Sequence, residues 1–200
     1  TNETKMPNNT VSAKTGPTTT TIWSNQKVYY YINSGTCDTC FTSVEAYDLS
    51  MRLSAVMSSL ETQIGGSLNF ESRNDINPYL NIIKTTSSPP NCYADVGILT
   101  NSPTTDRTMQ LGGWCSLHNG MIMHLFMHVL GMEDENLRPD RAAYLIAGTD
   151  IDDPYCQQVD WNTNRLQPYE KNDDSTTYLG MSNYDFNSIM HLPKEGSSTY

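Results

Sequence analysis

His124-Leu-Phe-Met-His128-Val-Leu-Gly131-Met-Glu-Asp134 is the stretch of this chain that says most about its fold. His124 and His128 stand four residues apart, so on a helix both imidazoles project from one face, as two ligands of one metal ion must. Gly131 stands where such a helix has to end, because glycine adopts the left-handed conformation at little cost. Asp134 can supply a third ligand through a carboxylate oxygen. The pattern therefore predicts a metal cradle at the end of a helix.

Two further motifs follow in the chain. Glu135 is followed by Arg138-Pro139-Asp140-Arg141, and residues 184–192 read Tyr-Asp-Phe-Asn-Ser-Ile-Met-His-Leu. With the histidine stretch, these motifs resemble the astacin branch of the metzincin zinc metalloproteases. That family runs H-E-x-x-H-x-x-G-x-x-H-E-x-x-R-x-D-R, with a methionine turn within S-I-M-H-Y. The resemblance covers roughly residues 22–192, and a core helix with two incidental histidines would leave the later motifs unexplained.

The departures from the family pattern bear on chemistry. The resemblance puts Leu125 where the family has its catalytic glutamate, Asp134 at the third histidine and Leu192 at the tyrosine of the methionine turn. Loss of a general base typically costs about 10²–10⁴-fold in rate, and loss of one oxyanion donor about 10²–10³-fold. The resemblance thus implies one zinc ion on His124, His128 and Asp134, and no efficient peptide hydrolysis.

The scaffold positions keep the family residues. The resemblance gives structural roles to these positions, with the methionine forming an apolar floor beneath the metal: Gly131, Glu135, Arg138, Asp140, Arg141 and Met190. Because the family's structural residues are kept and its catalytic residues are replaced, we expect a folded protein that does not hydrolyse peptides.

Periodicity predicts an α+β fold. Apolar residues recur at helical spacing from Val44 to Ile64, and a second apolar helix is expected from Asn119 to Leu130. Strand patterns occur at these segments: Lys27–Asn33, Leu68–Ser72, Tyr79–Lys84, Val96–Thr100 and Thr108–Leu111. The resemblance implies a twisted, mainly parallel sheet backed by the first helix, with the metal-site helix beneath it. It also implies an irregular, shortened C-terminal subdomain, because the family's C-terminal helix has no counterpart before Tyr200.

Composition divides the chain into a tail and one domain. Residues 1–21 are rich in Thr, Asn and Pro and have few large apolar side chains, which predicts a disordered tail before an astacin-like domain at residues 22–200. Asn2 and Asn8 begin N-glycosylation sequons, which favours a secreted glycoprotein.

Charge and hydropathy exclude several partners. The chain has 22 acidic and 12 basic side chains, a formal net charge of −10, which argues against nucleic acid or an anionic membrane as the main partner. No apolar run approaches the ~20 residues of a transmembrane helix. We expect a protein or peptide ligand and no membrane span.

For the five cysteines, the resemblance suggests one disulfide pairing. The resemblance implies a disulfide between Cys92 and Cys115, which closes the segment before the metal-site helix. Cys37, Cys40 and Cys156 remain. The Cys37–Cys40 spacing also occurs in redox and zinc pairs, but no second pair matches it, so a structural disulfide with one thiol left over is favoured. Their pairing stays open.

Three functional classes are compatible with the sequence. The favoured one is a secreted pseudoprotease that binds zinc and acts by binding a protein or peptide. The second is a working zinc metalloendopeptidase in which another group replaces the missing base. The third is a metal-free structural or recognition domain, in which the two histidines and Asp134 form a satisfied polar network.

Overall fold

The fold is known from a computed structural model, which describes these residues: 20–21, 23, 26–86, 92–99, 104, 106–135, 185 and 187–191. Five residues of the sequence predictions lie outside this part of the chain: Arg138, Asp140, Arg141, Cys156 and Leu192. The first nineteen residues of the predicted tail lie outside it as well.

A five-stranded sheet forms one layer of the domain, and the α+β prediction is confirmed. In chain order the elements are β1 (Thr20–Thr21), β2 (Lys27–Ile32), α1 (Ser43–Gln63), β3 (Asn69–Ser72), β4 (Leu80–Lys84), β5 (Tyr93–Ala94), β6 (Ile98–Leu99), β7 (Arg107–Leu111), a 3₁₀ turn (Cys115–Leu117) and α2 (Asn119–Val129). The sheet order is β3-β2-β4-β7-β5. All its pairs are parallel except β5 with β7, as expected for a mainly parallel sheet.

Helix α1 begins and ends on clear local signals. Thr42 and Glu45 form a capping box, in which each side chain accepts a hydrogen bond from the other residue's backbone N–H. The helix then buries one face, made of Leu49, Leu53, Val56, Met57 and Leu60. It ends before Gly65 and Gly66, which both have positive φ. The predicted helix over Val44–Ile64 is confirmed within one residue at each end.

Helix α2 lies at the centre of the molecule. It packs against α1 and against the β7–β5 side of the sheet. Its apolar side chains lie in the core, where Phe126 meets Phe70 of β3 edge to face at 5.1 Å between ring centroids. The burial of this helix holds both of its histidines on a fixed backbone.

A second, two-stranded sheet differs from the prediction. β1 pairs antiparallel with β6, so Thr20 and Thr21 are ordered at the end of the segment expected to be a tail. Of the strand predicted over Val96–Thr100, Ile98–Leu99 form β6 in this small sheet, while Val96 lies before it and Thr100 is outside the described residues. The two-residue strand β5 was not predicted.

Two disulfides are present among the described residues. Cys92 is joined to Cys115, as the family resemblance implied, and this bond ties the segment before β5 to the turn that precedes α2. Cys37 is joined to Cys40 in the connection between β2 and α1. No helix in the described part of the chain is long and apolar enough to cross a membrane.

Candidate metal centre

Helix α2 presents His124 and His128 side by side. Their rings meet edge to face with centroids 4.6 Å apart, and their Nε2 atoms are separated by only 3.1 Å. His124 is buried and His128 is nearly so. The four-residue spacing and the burial of the helix therefore bring two imidazole nitrogens to one point.

Asp134 completes a group of three donors. Its Oδ1 lies 3.6 Å from Nε2 of His124 and 3.4 Å from Nε2 of His128. A tetrahedral ion with zinc-ligand bonds of ~2.0–2.1 Å holds its ligand atoms about 3.3–3.4 Å apart. The three observed separations bracket that value, so the residues fit a metal ion of this size.

Hydrogen bonds to two backbone carbonyls fix the tautomer of both histidines. Nδ1 of His124 donates to the carbonyl of Ile189 at 2.8 Å, and Nδ1 of His128 donates to the carbonyl of Met132 at 2.8 Å. A carbonyl oxygen only accepts, so each Nδ1 carries the proton. Both Nε2 lone pairs are thereby directed into the space shared with Asp134.

The acceptors that converge on this space suit a cation. Buried Oδ1 of Asp134 has no hydrogen-bond partner in the described part of the chain. Burial, and then the neighbouring His128, lower the pKa of His124. Burial also lowers the pKa of His128, but the close approach and charge of the Asp134 carboxylate outweigh it and leave that pKa raised. The two pKa shifts are opposite in direction, and a bound metal would give all three side chains a partner at once.

The end of α2 forms a Schellman motif that aligns this group. The Gly131 N–H donates to the carbonyl of His128 at 2.7 Å, and the Met132 N–H donates to the carbonyl of Met127 at 3.0 Å. Gly131 has a φ of +98°, which only glycine adopts without strain. The motif turns the Met132 carbonyl back towards His128 and directs the chain to Asp134.

The methionine turn contacts the group through the Ile189 carbonyl, which accepts from His124. Met190 is 1% exposed, and its N–H donates to Oγ of Ser188 at 3.1 Å. Glu135 joins the two segments, because its N–H donates to the Met190 carbonyl at 2.7 Å. Oε1 of Glu135 also accepts from the backbone of Asp185. Glu135 thus links the end of α2 to the methionine turn, while the apolar floor beneath a metal stays a prediction.

Leu125 supplies no chemical group to the site. It follows His124 on α2, is 3% exposed and belongs to the hydrophobic core. An alkyl side chain neither takes nor gives a proton at the position next to the first ligand. Leu192, at the other predicted departure, lies outside the described residues.

Sequence reasoning missed the two carbonyls that orient the histidines. The Met132 carbonyl could have been found, since a glycine ending a helix predicts a Schellman turn that places the next residue beside the last helical turn. For Ile189 the signal was weaker: it lies beside Met190 in the methionine-turn motif, but nothing in the sequence pairs its backbone with His124.

Comparison with known proteins agrees with the fold. The family model Astacin, which describes a family of peptidases, matches residues 16–199. Among solved structures, high choriolytic enzyme 1, a hatching enzyme zinc-protease from Oryzias latipes (medaka fish), is similar at 19% identity and a TM-score of 0.56, with 86% of this chain and 72% of that chain covered. Myroilysin is similar at 16% identity and a TM-score of 0.54, with 86% and 80% covered. Comparison with curated protein sequences gives no significant match.

Proposed function

We propose, given that this chain belongs to the astacin family of peptidases, that it is a secreted, zinc-binding member without proteolytic activity, which acts by binding a protein or peptide. The observation that carries the proposal is the pairing of an intact ligand group with Leu125. His124, His128 and Asp134 lie within reach of one metal ion, while the neighbouring position holds a buried alkyl side chain.

The ligand set supports low reactivity. When bound, zinc supplies Lewis acidity to a neighbouring carbonyl. The carboxylate of Asp134 offsets part of the ion's charge, which weakens that effect relative to a neutral third imidazole. Leu125 cannot hold the proton that peptide hydrolysis must move, and Leu192, at the family's tyrosine position, cannot donate to an oxyanion.

Two other acidic side chains, Glu133 and Glu135, lie near the site, and neither takes the place of the missing base. Glu135 holds Asp185 and Met190 through its side chain and backbone. Glu133 lies close enough to raise the pKa of His128 through its charge, but it follows the Schellman turn and is not next to His124 on the helix. Neither glutamate stands at the position of the missing base, which favours binding over turnover.

Two features support secretion. The disulfides Cys92–Cys115 and Cys37–Cys40 belong to a class of bond that persists in oxidising compartments. The sequons at Asn2 and Asn8 would be glycosylated only on the secretory route. A polypeptide ligand is proposed by analogy with the fold, which is that of a peptidase family.

The decisive experiment compares the native chain with the triple variant Leu125→Glu, Asp134→His, Leu192→Tyr. Both proteins are loaded with zinc and assayed on a peptide library and on a denatured protein. We expect no cleavage by the native chain. Cleavage within about tenfold of the variant, a gap of only ~1.4 kcal/mol, would make the chain a working metalloendopeptidase.

Zinc content is measured on the same material. We expect one zinc per native chain after reconstitution and dialysis, and a loss of zinc from the Asp134→Ala variant. Asp48→Asn is the matched control, because Asp48 is an exposed carboxylate on α1. A native chain that holds no more zinc than Asp134→Ala would instead indicate a metal-free recognition domain.

A further inference from the structure

The Cys37–Cys40 disulfide includes none of the residues of the candidate metal centre, and the proposed function gives its sulfurs no chemical role. It spans only three positions of sequence, in the connection between β2 and α1. A bond that closes so short a loop restricts the unfolded chain much less than Cys92–Cys115, whose sequence separation is 23. Stabilisation by cross-linking alone is therefore a weak reason for this bond.

The two cysteines differ in exposure. Cys37 lies at the exposed tip of the connection, whereas Cys40 is half-buried behind it. In disulfides joining Cys-x-x-Cys, an exposed first sulfur can be attacked by an external thiolate, and the sheltered second sulfur then leaves. Cys37 is thus the sulfur that a thiol would reach.

The side chain of Asn33 is arranged for the reduced pair. Its Nδ2 points to Sγ of Cys37 at 3.9 Å, and its Oδ1 lies 3.5 Å from Sγ of Cys40. A disulfide sulfur carries no proton, so the contact with Oδ1 becomes a hydrogen bond only when Cys40 is a thiol. The Nδ2 contact, together with the Thr39 hydroxyl 3.6 Å from Sγ of Cys37, favours a thiolate on Cys37.

The backbone around the pair is held independently of the S–S bond. The Asn33 N–H donates to Ile82 of β4 at 2.8 Å, and the Asn33 carbonyl accepts from Phe41 at 2.9 Å. Gly35 donates to the Phe41 carbonyl at 3.0 Å, and Phe41 is anchored in the core at 3% exposure. Both cysteines would stay on the same scaffold after reduction.

From this arrangement we infer that Cys37 and Cys40 form a redox-active pair that exchanges with low-molecular-weight thiols of the glutathione class. A thiolate bonds to Sγ of Cys37 and breaks the S–S bond, and Cys40 leaves as a thiolate. Cys40 then takes a proton from solvent and, as a thiol, donates a hydrogen bond to Oδ1 of Asn33. A second thiolate attacks the external sulfur of the mixed disulfide, which releases Cys37 as a thiolate and the two thiols as their own disulfide. Two electrons pass from the two thiols to the pair.

The test equilibrates the full, zinc-loaded chain in glutathione buffers of stepped redox ratio, followed by alkylation and peptide mass mapping. We expect Cys37 and Cys40 to become reduced at a glutathione ratio about tenfold or more milder than Cys92 and Cys115. Cys115 is fully buried, so the second disulfide is an internal reference. Simultaneous reduction of both disulfides would overturn the inference and leave Cys37–Cys40 as a structural bond.

Single variants test the assigned roles without reference to zinc or proteolysis. Cys40→Ser should accumulate a glutathione adduct on Cys37, and Cys37→Ser should form about tenfold less adduct on the half-buried Cys40. Asn33→Ala should shift the pair's equilibrium towards the disulfide by roughly two- to tenfold, while Asn69→Ala, an exposed asparagine on β3, should leave it unchanged. Equal adducts on the two cysteines, or no shift in Asn33→Ala, would contradict the roles of Cys37 and Asn33.

Discussion

Trp23 and Val129 are joined by a buried hydrogen bond across 106 positions of sequence. The indole Nε1 of Trp23 donates to the Val129 carbonyl at 2.8 Å. That carbonyl is among the last four of α2, which have no N–H partner within the helix. Gly97 likewise donates its N–H to the carbonyl of His128 at 2.9 Å. The end of the metal-site helix is therefore held by segments that lie far from it in the chain.

Replacement of Trp23 by phenylalanine should destabilise the fold. The variant keeps an aromatic ring in a position that is 5% exposed but leaves the Val129 carbonyl unpaired. A buried acceptor without a partner costs about 1–3 kcal/mol, which urea unfolding would measure as a fall in the midpoint. Trp114→Phe is the control: Trp114 is 45% exposed, and the change should cost less than ~0.5 kcal/mol. Equal effects of the two variants would contradict a specific role for the Trp23 bond.

Two glycines with the same backbone constraint should differ in their effect on metal. Gly131 has a φ of +98° and Gly65 a φ of +78°, and neither has an atom within 4 Å of an added Cβ. Alanine at either position should therefore cost about 1–2 kcal/mol through backbone strain alone. Only Gly131→Ala should also weaken zinc binding, by roughly 10–100-fold, because it displaces the carbonyl that orients His128.

The measurement is a competition titration with a zinc chelator, beside thermal unfolding of the zinc-free proteins. Equal zinc affinities of Gly131→Ala and Gly65→Ala would show that the Schellman turn does not position the ligands.

Local patterns predicted the helices better than the short strands. The helical period and the glycines after Ile64 located α1 within one residue, because both signals are contained in the segment itself. Tyr93–Ala94 offers only two residues, too few for a period, and its pairing with β7 depends on a distant partner. Thr20 and Thr21 read as part of a polar tail, because their pairing with β6 depends on a segment far along the chain.

The sequence predicted the three side chains of the metal group but not the backbone groups that orient them. Helical spacing fixes the angle between His124 and His128, and the turn at Gly131 brings Asp134 back to them. The carbonyls of Met132 and Ile189 were not predicted, because every residue carries a carbonyl and only the tertiary fold selects two of them. Sequence identified the three side chains of the candidate metal group, and the fold supplied their orientation.

The start of helix α1 should make stability depend on acid pH. The hydrogen bond from Lys84, followed by the backbone N–H of Thr42, holds the pKa of Glu45 at about 2, below its usual 4.5. A lowered carboxyl pKa stabilises the fold above the unfolded-state pKa, and that contribution is lost as pH falls from about 4.5 to about 2. Glu45→Gln keeps a capping-box residue but removes the charge that pairs with Lys84 at 2.8 Å.

We expect Glu45→Gln to be less stable than the native chain at pH 7 by no more than about 1 kcal/mol, because the pair is exposed and screened by solvent. The difference should shrink as pH falls from about 4.5 and disappear below about pH 2, where Glu45 also becomes neutral in the folded protein. Thermal unfolding of the two proteins from pH 7 to below about pH 2 tests this, and a difference that persists at the acid end would assign the effect to packing.

A glutamate at position 125 should make the stability of the fold depend on zinc. Leu125 is 3% exposed within the core, so Leu125→Glu removes apolar burial and places a carboxyl group in an apolar setting, at a cost of at least ~2 kcal/mol without metal. A cation on His124 and His128 would favour the ionised carboxylate beside them and offset part of that cost.

Leu125→Gln has nearly the same shape without the charge, and it should gain only the stability that zinc binding gives the native chain. Chemical unfolding of both variants with zinc and with chelator measures the difference. If zinc stabilises Leu125→Glu and Leu125→Gln equally, position 125 does not face the metal, and its assignment to the place of the family's base is wrong.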